Sequence, residues 1–162
     1  MEFLDDRLSS RRRTLRLIGT GMFAGLAALG ARPLMVGAAT LPPVTIYKDP
    51  NCGCCGIWTT YLRERGFKVK VVMTGDMDPV KRKARVPYDL QTCHTAFMGD
   101  YVVEGHVPLP AITRLLDERP KVLGIAVPGM PAGSPGMPSV DPEPYEVFTF
   151  AANGSQSVYM SF

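Results

Sequence analysis

From Val44 onward the chain falls into short apolar blocks separated by polar or Gly/Pro punctuation. Val44-Thr45-Ile46-Tyr47 is β-branched and aromatic, which predicts a buried strand over Thr45–Tyr47, and Asp49-Pro50-Asn51 breaks it as a turn. Ile57, Trp58, Tyr61 and Leu62 recur at the spacing of one helix face. A helix is therefore expected from Cys54 or Cys55 to Arg65, stopped by Gly66, with Asp49 and Asn51 as candidate caps. Residues 67–73, with Val69, Val71 and Val72, predict a second strand, and the single intervening helix makes it parallel to the first. Asp78–Arg85 reads as a short helix with Lys81-Arg82-Lys83 on its solvated face, and Val86–Leu90 as a loop. A strand from Thr95 to Met98 turns at Gly99-Asp100 into an antiparallel partner, Tyr101–Glu104. Ile112, Leu115 and Leu116 stripe a helix over Leu109–Asp117, ended by Pro120. Leu123–Val127 is short and apolar, and Pro128–Pro138, rich in Gly, Pro and Met, cannot be a regular element. Tyr145–Phe150 and Ser157–Phe162 flank Asn153-Gly154 as a terminal hairpin.

The order β-α-β-α-β-β-α is that of thioredoxins. It predicts an α/β, thioredoxin-like sandwich over residues 40–140, with a C-terminal β-hairpin extension, 141–162, packed on the same domain.

The first 39 residues read differently. Arg11-Arg12-Arg13 precedes an uncharged Gly/Ala-rich run, Leu17–Leu29, and Val36-Gly37-Ala38-Ala39 offers small residues for cleavage. This is the pattern of a secretory signal of the twin-arginine type. The uncharged run is about 15 residues, short of the ~20 that span a bilayer, so no stable membrane insertion is expected after cleavage. The expected location is the periplasm. The chain carries a formal charge of +3, but the excess sits in the signal through Arg7, Arg11, Arg12, Arg13, Arg16 and Arg32. Residues 40–162 hold equal numbers of acidic and basic side chains, which gives no basis for nucleic-acid binding.

Charge and export change how the four cysteines read. Cys52, Cys54 and Cys55 crowd one turn between a strand and a helix start, where unpaired N–H groups and the helix dipole favour thiolate over thiol. An exported chain with an even cysteine count suggests disulfides, but a structural framework spreads its cysteines, and adjacent Cys54 and Cys55 pair only with strain. In a thioredoxin-like fold the loop before the third strand faces this turn. Thioredoxins place a cis-proline there; here Cys93-His94-Thr95 holds that place and Pro87 lies upstream. Four thiols would then converge, a donor set for Cu(I), Zn(II) or an iron–sulfur cluster. Four thiolates leave net charge with one Zn(II) or one Cu(I), and none with four Cu(I). Because buried net charge is costly, a thiolate-bridged multi-copper(I) cluster is favoured over Zn(II).

His94 adjoins a candidate ligand and can complete the site or bond a thiolate. His106, Met130 and Met137 are weaker candidates; the methionines offer soft thioethers but equally suit a packed lid. Met73, Met98 and Trp58 read as core. A second reading stays open: Cys52 and Cys55 form a C-x-x-C pair, Cys52 attacking and Cys55 resolving, in a thiol–disulfide oxidoreductase.

Several separated segments together resemble one known family. They are Lys48-Asp49-Pro50-Asn51-Cys52-Gly53-Cys54-Cys55-Gly56-Ile57-Trp58, Cys93-His94-Thr95-Ala96, Gly105-His106-Val107-Pro108 and Gly124–Met137. The chain resembles the CopG-like periplasmic copper-resistance proteins, a thioredoxin-like domain of unknown function. The resemblance implies copper(I) held by Cys52, Cys54, Cys55 and Cys93, and a role in copper tolerance with copper-linked redox activity. The partners expected are copper ions and other periplasmic copper-handling or electron-transfer proteins.

Overall fold

In the computed structural model β1 (Val44–Lys48) lies parallel to β2 (Val69–Met73), with α1 (Gly53–Glu64) between them in sequence. The structure describes residues 41–162; the expected signal over residues 1–39 lies outside the described residues. The chain continues through α2 (Asp78–Ala84) and a 3₁₀ turn at Tyr88–Leu90. Next come β3 (His94–Met98), β4 (Tyr101–Gly105) and α3 (Leu109–Glu118), then β5 (Gly124–Val127), β6 (Glu146–Phe150) and β7 (Gln156–Ser161). All seven strands form one sheet in the order β2-β1-β3-β4-β5-β6-β7. The described residues thus form a mixed α/β fold with three helices, none of them long and apolar enough to cross a membrane.

Two apolar clusters cover the two faces of this sheet. Val44, Ile46, Ala96, Met98, Tyr101 and Val103 pack with Trp58 and Leu62 of α1 and Ala111, Ile112 and Leu115 of α3. Val102, Ala126 and Phe150 pack on the other face with Ala84 of α2, Val86 and Leu90. Because side chains alternate along a strand, neighbours such as Val102 and Val103 serve opposite cores. Every residue of β4 and of β5 is buried, which explains why both read as nearly unbroken apolar runs. Trp58 is fully buried and its Nε1 donates to the Val107 carbonyl at 3.0 Å, so its polar edge is satisfied as its rings fill the core. Truncation of fully buried Leu62 or Leu115 to alanine would cost about 2–5 kcal/mol.

The apolar Leu123–Val127 segment becomes β5, parallel to β4 across α3, and the terminal hairpin extends the same sheet through β5–β6 pairing. Gly124 permits that approach, since a Cβ there would strike the Val102 carbonyl.

Four expectations need correction. The second strand starts at Val69 rather than Phe67; Phe67 follows the left-handed Gly66 and plugs the core instead. Met73, expected in the core, is 65% exposed because β2 is an edge strand. Neither Asp49 nor Asn51 caps α1: Cys52 does, while Asp49 accepts the Asn51 N–H at 2.7 Å and shapes the preceding turn. Finally, Lys81 is buried rather than solvated. A buried carboxylate on β4 draws it inward, and only Arg82 and Lys83 of that basic run face water.

Candidate metal centre

The register of the sheet assembles the site. β3 runs antiparallel to β1 with Lys48 opposite His94. The residue just before β3, Cys93, is thereby delivered to the place where β1 ends and α1 begins. Cys52 caps that helix, its Sγ accepting the Cys55 N–H at 3.3 Å.

Cys52 and Cys55 are joined as a disulfide, while Cys54 and Cys93 are free. The Cys93 Sγ lies 3.3 Å from that of Cys52, 3.1 Å from Cys55 and 4.0 Å from Cys54, and Cys52 and Cys54 are 3.5 Å apart. A fifth sulfur closes the group: Met130 Sδ sits 3.4 Å from Cys93 Sγ and 3.8 Å from Cys54 Sγ. Met130 holds this place from a left-handed backbone, φ +52°, which is unusual for a side chain of its kind. Cys55 is fully buried, whereas Cys52, Cys54 and Cys93 are half-buried around an open depression of ≈ 530 Å³ that Met77 also lines.

Behind the sulfurs stand two histidines, both fully buried. His94 Nδ1 is 3.9 Å from Cys93 Sγ, and its ring packs on Trp58 at 4.6 Å between centroids and on His106 at 5.6 Å. His106 Nδ1 faces Ser134 Oγ at 3.4 Å. Among the described residues, the Nε2 atoms of both histidines find no hydrogen-bond partner. Burial pushes His94 down to about 3, helped by His106 and Lys81, and burial likewise lowers His106. Both rings are therefore neutral, with a lone pair to offer. Cys93 goes the other way. Burial, then neighbouring Cys54 and a smaller push from Glu104, raise its thiol to about 12, so it stays protonated unless an electrophile or a metal displaces the proton.

Two donor groups thus share Cys93: Cys52, Cys54, Cys55 and Cys93; and Cys93, His94 and His106. Soft sulfurs backed by neutral imidazoles suit Cu(I). Met137 does not join them. It is half-buried, and its backbone closes the loop by accepting from Gly133 N and donating to Ser134 O. That loop lies tightly over the site: a Cβ on Gly136, φ +116°, would stand 3.0 Å from the Cys54 carbonyl and 3.1 Å from His106 Nε2.

The sequence reading missed a second set of buried groups on the opposite face of β3 and β4. Glu104 Oε1 accepts from Lys81 Nζ at 2.6 Å, from Thr92 N at 2.6 Å and from Thr92 Oγ1 at 3.0 Å; Oε2 accepts from Thr95 Oγ1 at 2.7 Å. Burial pushes the Glu104 carboxyl up, and Lys81, Thr95 and the Thr92 N–H pull it back. A lone acid ending the apolar run Tyr101-Val102-Val103 was the available signal, since such a carboxylate requires partners.

This fold and site define a mixed α/β protein with a sulfur-rich pocket fit for a soft metal. Residues 90–137 match a family described as "Protein of unknown function, DUF411". No curated protein matches the chain. Two solved structures, both of a copper resistance protein CopG, in Form 1 and Form 2, are 41% identical to it with TM-score 0.70. In each case the match covers 75% of this chain and 98% of the other. The chain belongs to the CopG copper-resistance family.

Proposed function

We propose that this protein is an exported copper(I)-binding protein on a thioredoxin-like scaffold. The strand order β2-β1-β3-β4, with α1 and α3 on one face and α2 on the other, supports that scaffold. Cys52, Cys54, Cys55 and Cys93 are the ligands and His94 assists; His106 and Met130 stand close enough to contribute, and Met137 acts through the loop backbone. The observation that carries this reading is the Cys93 sulfur within 4.0 Å of three sulfurs some forty residues earlier in the chain.

All four cysteines bind only after the Cys52–Cys55 bond takes up two electrons and two protons, supplied by an external dithiol that leaves as a disulfide. The thiols then give up their protons on binding. Bound Cu(I) would supply soft Lewis acidity and access to a one-electron couple. Four thiolates balance four Cu(I), so a multi-copper cluster is preferred over a single ion. The site serves copper tolerance outside the cytoplasm, in exchange with other copper-handling or electron-transfer proteins.

Anaerobic metal analysis with thiol counting tests this. The reduced parent should hold several copper ions with all four thiols engaged, and Cys54→Ser should lose stoichiometry. A variant that binds as the parent does would refute the ligand set. A second reading, thiol–disulfide oxidoreductase, is favoured by the disulfide itself: Cys52 is partly accessible, as an attacking sulfur must be, and Cys55 is fully buried, as suits a resolving one. Cys54→Ser would leave that activity intact.

A further inference from the structure

Cys93 is the only cysteine outside the α1 turn, and it sits on an irregular link between the 3₁₀ turn and β3. Regular structure does not hold that link. What holds it comes from the far face of the sheet. Glu104 is fully buried, and one of its oxygens takes both the backbone N–H and the hydroxyl of Thr92, the residue before Cys93. With its proton given to Glu104, Thr92 Oγ1 accepts from the His94 N–H at 3.5 Å, so the two neighbours of Cys93 are tied to each other. Lys81 Nζ, itself buried, reaches across from α2 to the same carboxylate and to Thr95 Oγ1 at 3.3 Å. Gly105 seals the arrangement, because a Cβ there would meet Thr92 Cγ2 at 2.8 Å and strike the Val127 carbonyl.

We infer that Glu104, held in place by Lys81, is a positioning residue that aims the Cys93 sulfur at the α1 cysteines. The role rests on the four-cysteine reading above. Geometry separates it from simple packing: the carboxylate touches no described sulfur, yet fixes the backbone atoms on which one sulfur hangs. A buried carboxylate that bonds a neighbouring N–H strongly resists displacement. The same charge would be wasted on stability alone, since a buried ion pair is often no better than well-packed apolar residues of similar size.

Two double variants test the inference. K81M/E104L and K81M/E104Q both remove the buried charges, so neither leaves an unpaired one. Only the glutamine retains an oxygen for the Thr92 N–H. The readout is alkylation of Cys93 relative to Cys54 in the oxidised, metal-free protein, resolved by peptide mass spectrometry. General loosening raises both thiols together, whereas lost aim raises the ratio. The expected result is a ratio roughly tenfold higher in K81M/E104L and within about twofold of the parent in K81M/E104Q. Copper bound per reduced chain should fall in the leucine variant and recover in the glutamine variant. A parent-like ratio and copper content in folded K81M/E104L would overturn the inference. Should that variant not fold, Thr92→Val carries the test: it leaves the ion pair in place and removes one donor. A ratio raised about threefold supports the role and an unchanged ratio refutes it. If the parent binds no copper, the copper reading fails and the alkylation ratio still decides this one.

Discussion

Two buried polar groups flank Cys93 on opposite faces of the sheet, and they are built in opposite ways. On the α2 side, Glu104 is bonded by Lys81, Thr92 and Thr95. On the α1 side, His94 and His106 each leave Nε2 unpartnered among the described residues. An unpaired buried polar atom costs about 1–3 kcal/mol, so the second arrangement is one that a fold selected for stability alone would not keep. The contrast sets a closed hydrogen-bond network against open donors. On the readings proposed above, the satisfied groups hold the cysteine and the unpartnered nitrogens are the ones free to meet a ligand.

That contrast can be broken most severely from the satisfied side. Lys81→Met strands a buried carboxylate, and urea denaturation should show a loss of about 3–5 kcal/mol; a loss under 1 would mean the pair is solvated in practice. Gly136→Ala attacks the receiving side through its lid. With φ +116° and a new Cβ 3.0 Å from the Cys54 carbonyl, it should cost about 1–3 kcal/mol and accelerate copper release to a chelator. Met130→Leu keeps volume and removes the thioether, so stability should fall by no more than about 1.5 kcal/mol while copper(I) dissociates faster. An unchanged rate would assign Met130 to packing.

The smallest effect concerns protons. His94 titrates at about 3 in the fold against an ordinary 6.5. The unfolded chain therefore takes up a proton that the native protein refuses, and stability present above pH 6.5 drains away as pH falls toward 3. Between pH 6.5 and 5.5 the metal-free protein should lose about 1 kcal/mol from this group. In denaturation measured across the window, His94→Leu should reduce that slope by the His94 share and leave the share of His106, which burial shifts the same way; a slope unchanged by the substitution would remove His94 from the titration.

Much of this was legible in the residues, for identifiable reasons. Strand and helix periods placed β1, α1, β3, β4 and α3 to within a residue or two, because each buries one face and pattern reports burial. The meeting of Cys93 with Cys52, Cys54 and Cys55 followed from topology. The Lys81–Glu104 pair was hidden because a basic run on a short helix ordinarily faces water, and only the register of β3 against β4, Thr95 opposite Glu104, shows what draws one lysine inward. Leu123–Val127 could not be recognised as a sheet member without its partner Val102–Gly105. Met73 escaped because an edge strand and a central one look alike in composition.

The sulfurs come from residues 52–55, 93 and 130, three visits by the backbone to a single corner. A polypeptide interrupted between the first and second visits owns a cysteine-rich turn and nothing to close it. On the proposed ligand set, grip on the cargo becomes a certificate of completion: only a finished, correctly wound molecule would sign for the metal, and a fragment or misfolded copy would let it go. Once loaded, mass action favours the intact form in return, so scarcity of the ion would show itself first as fragility of its carrier.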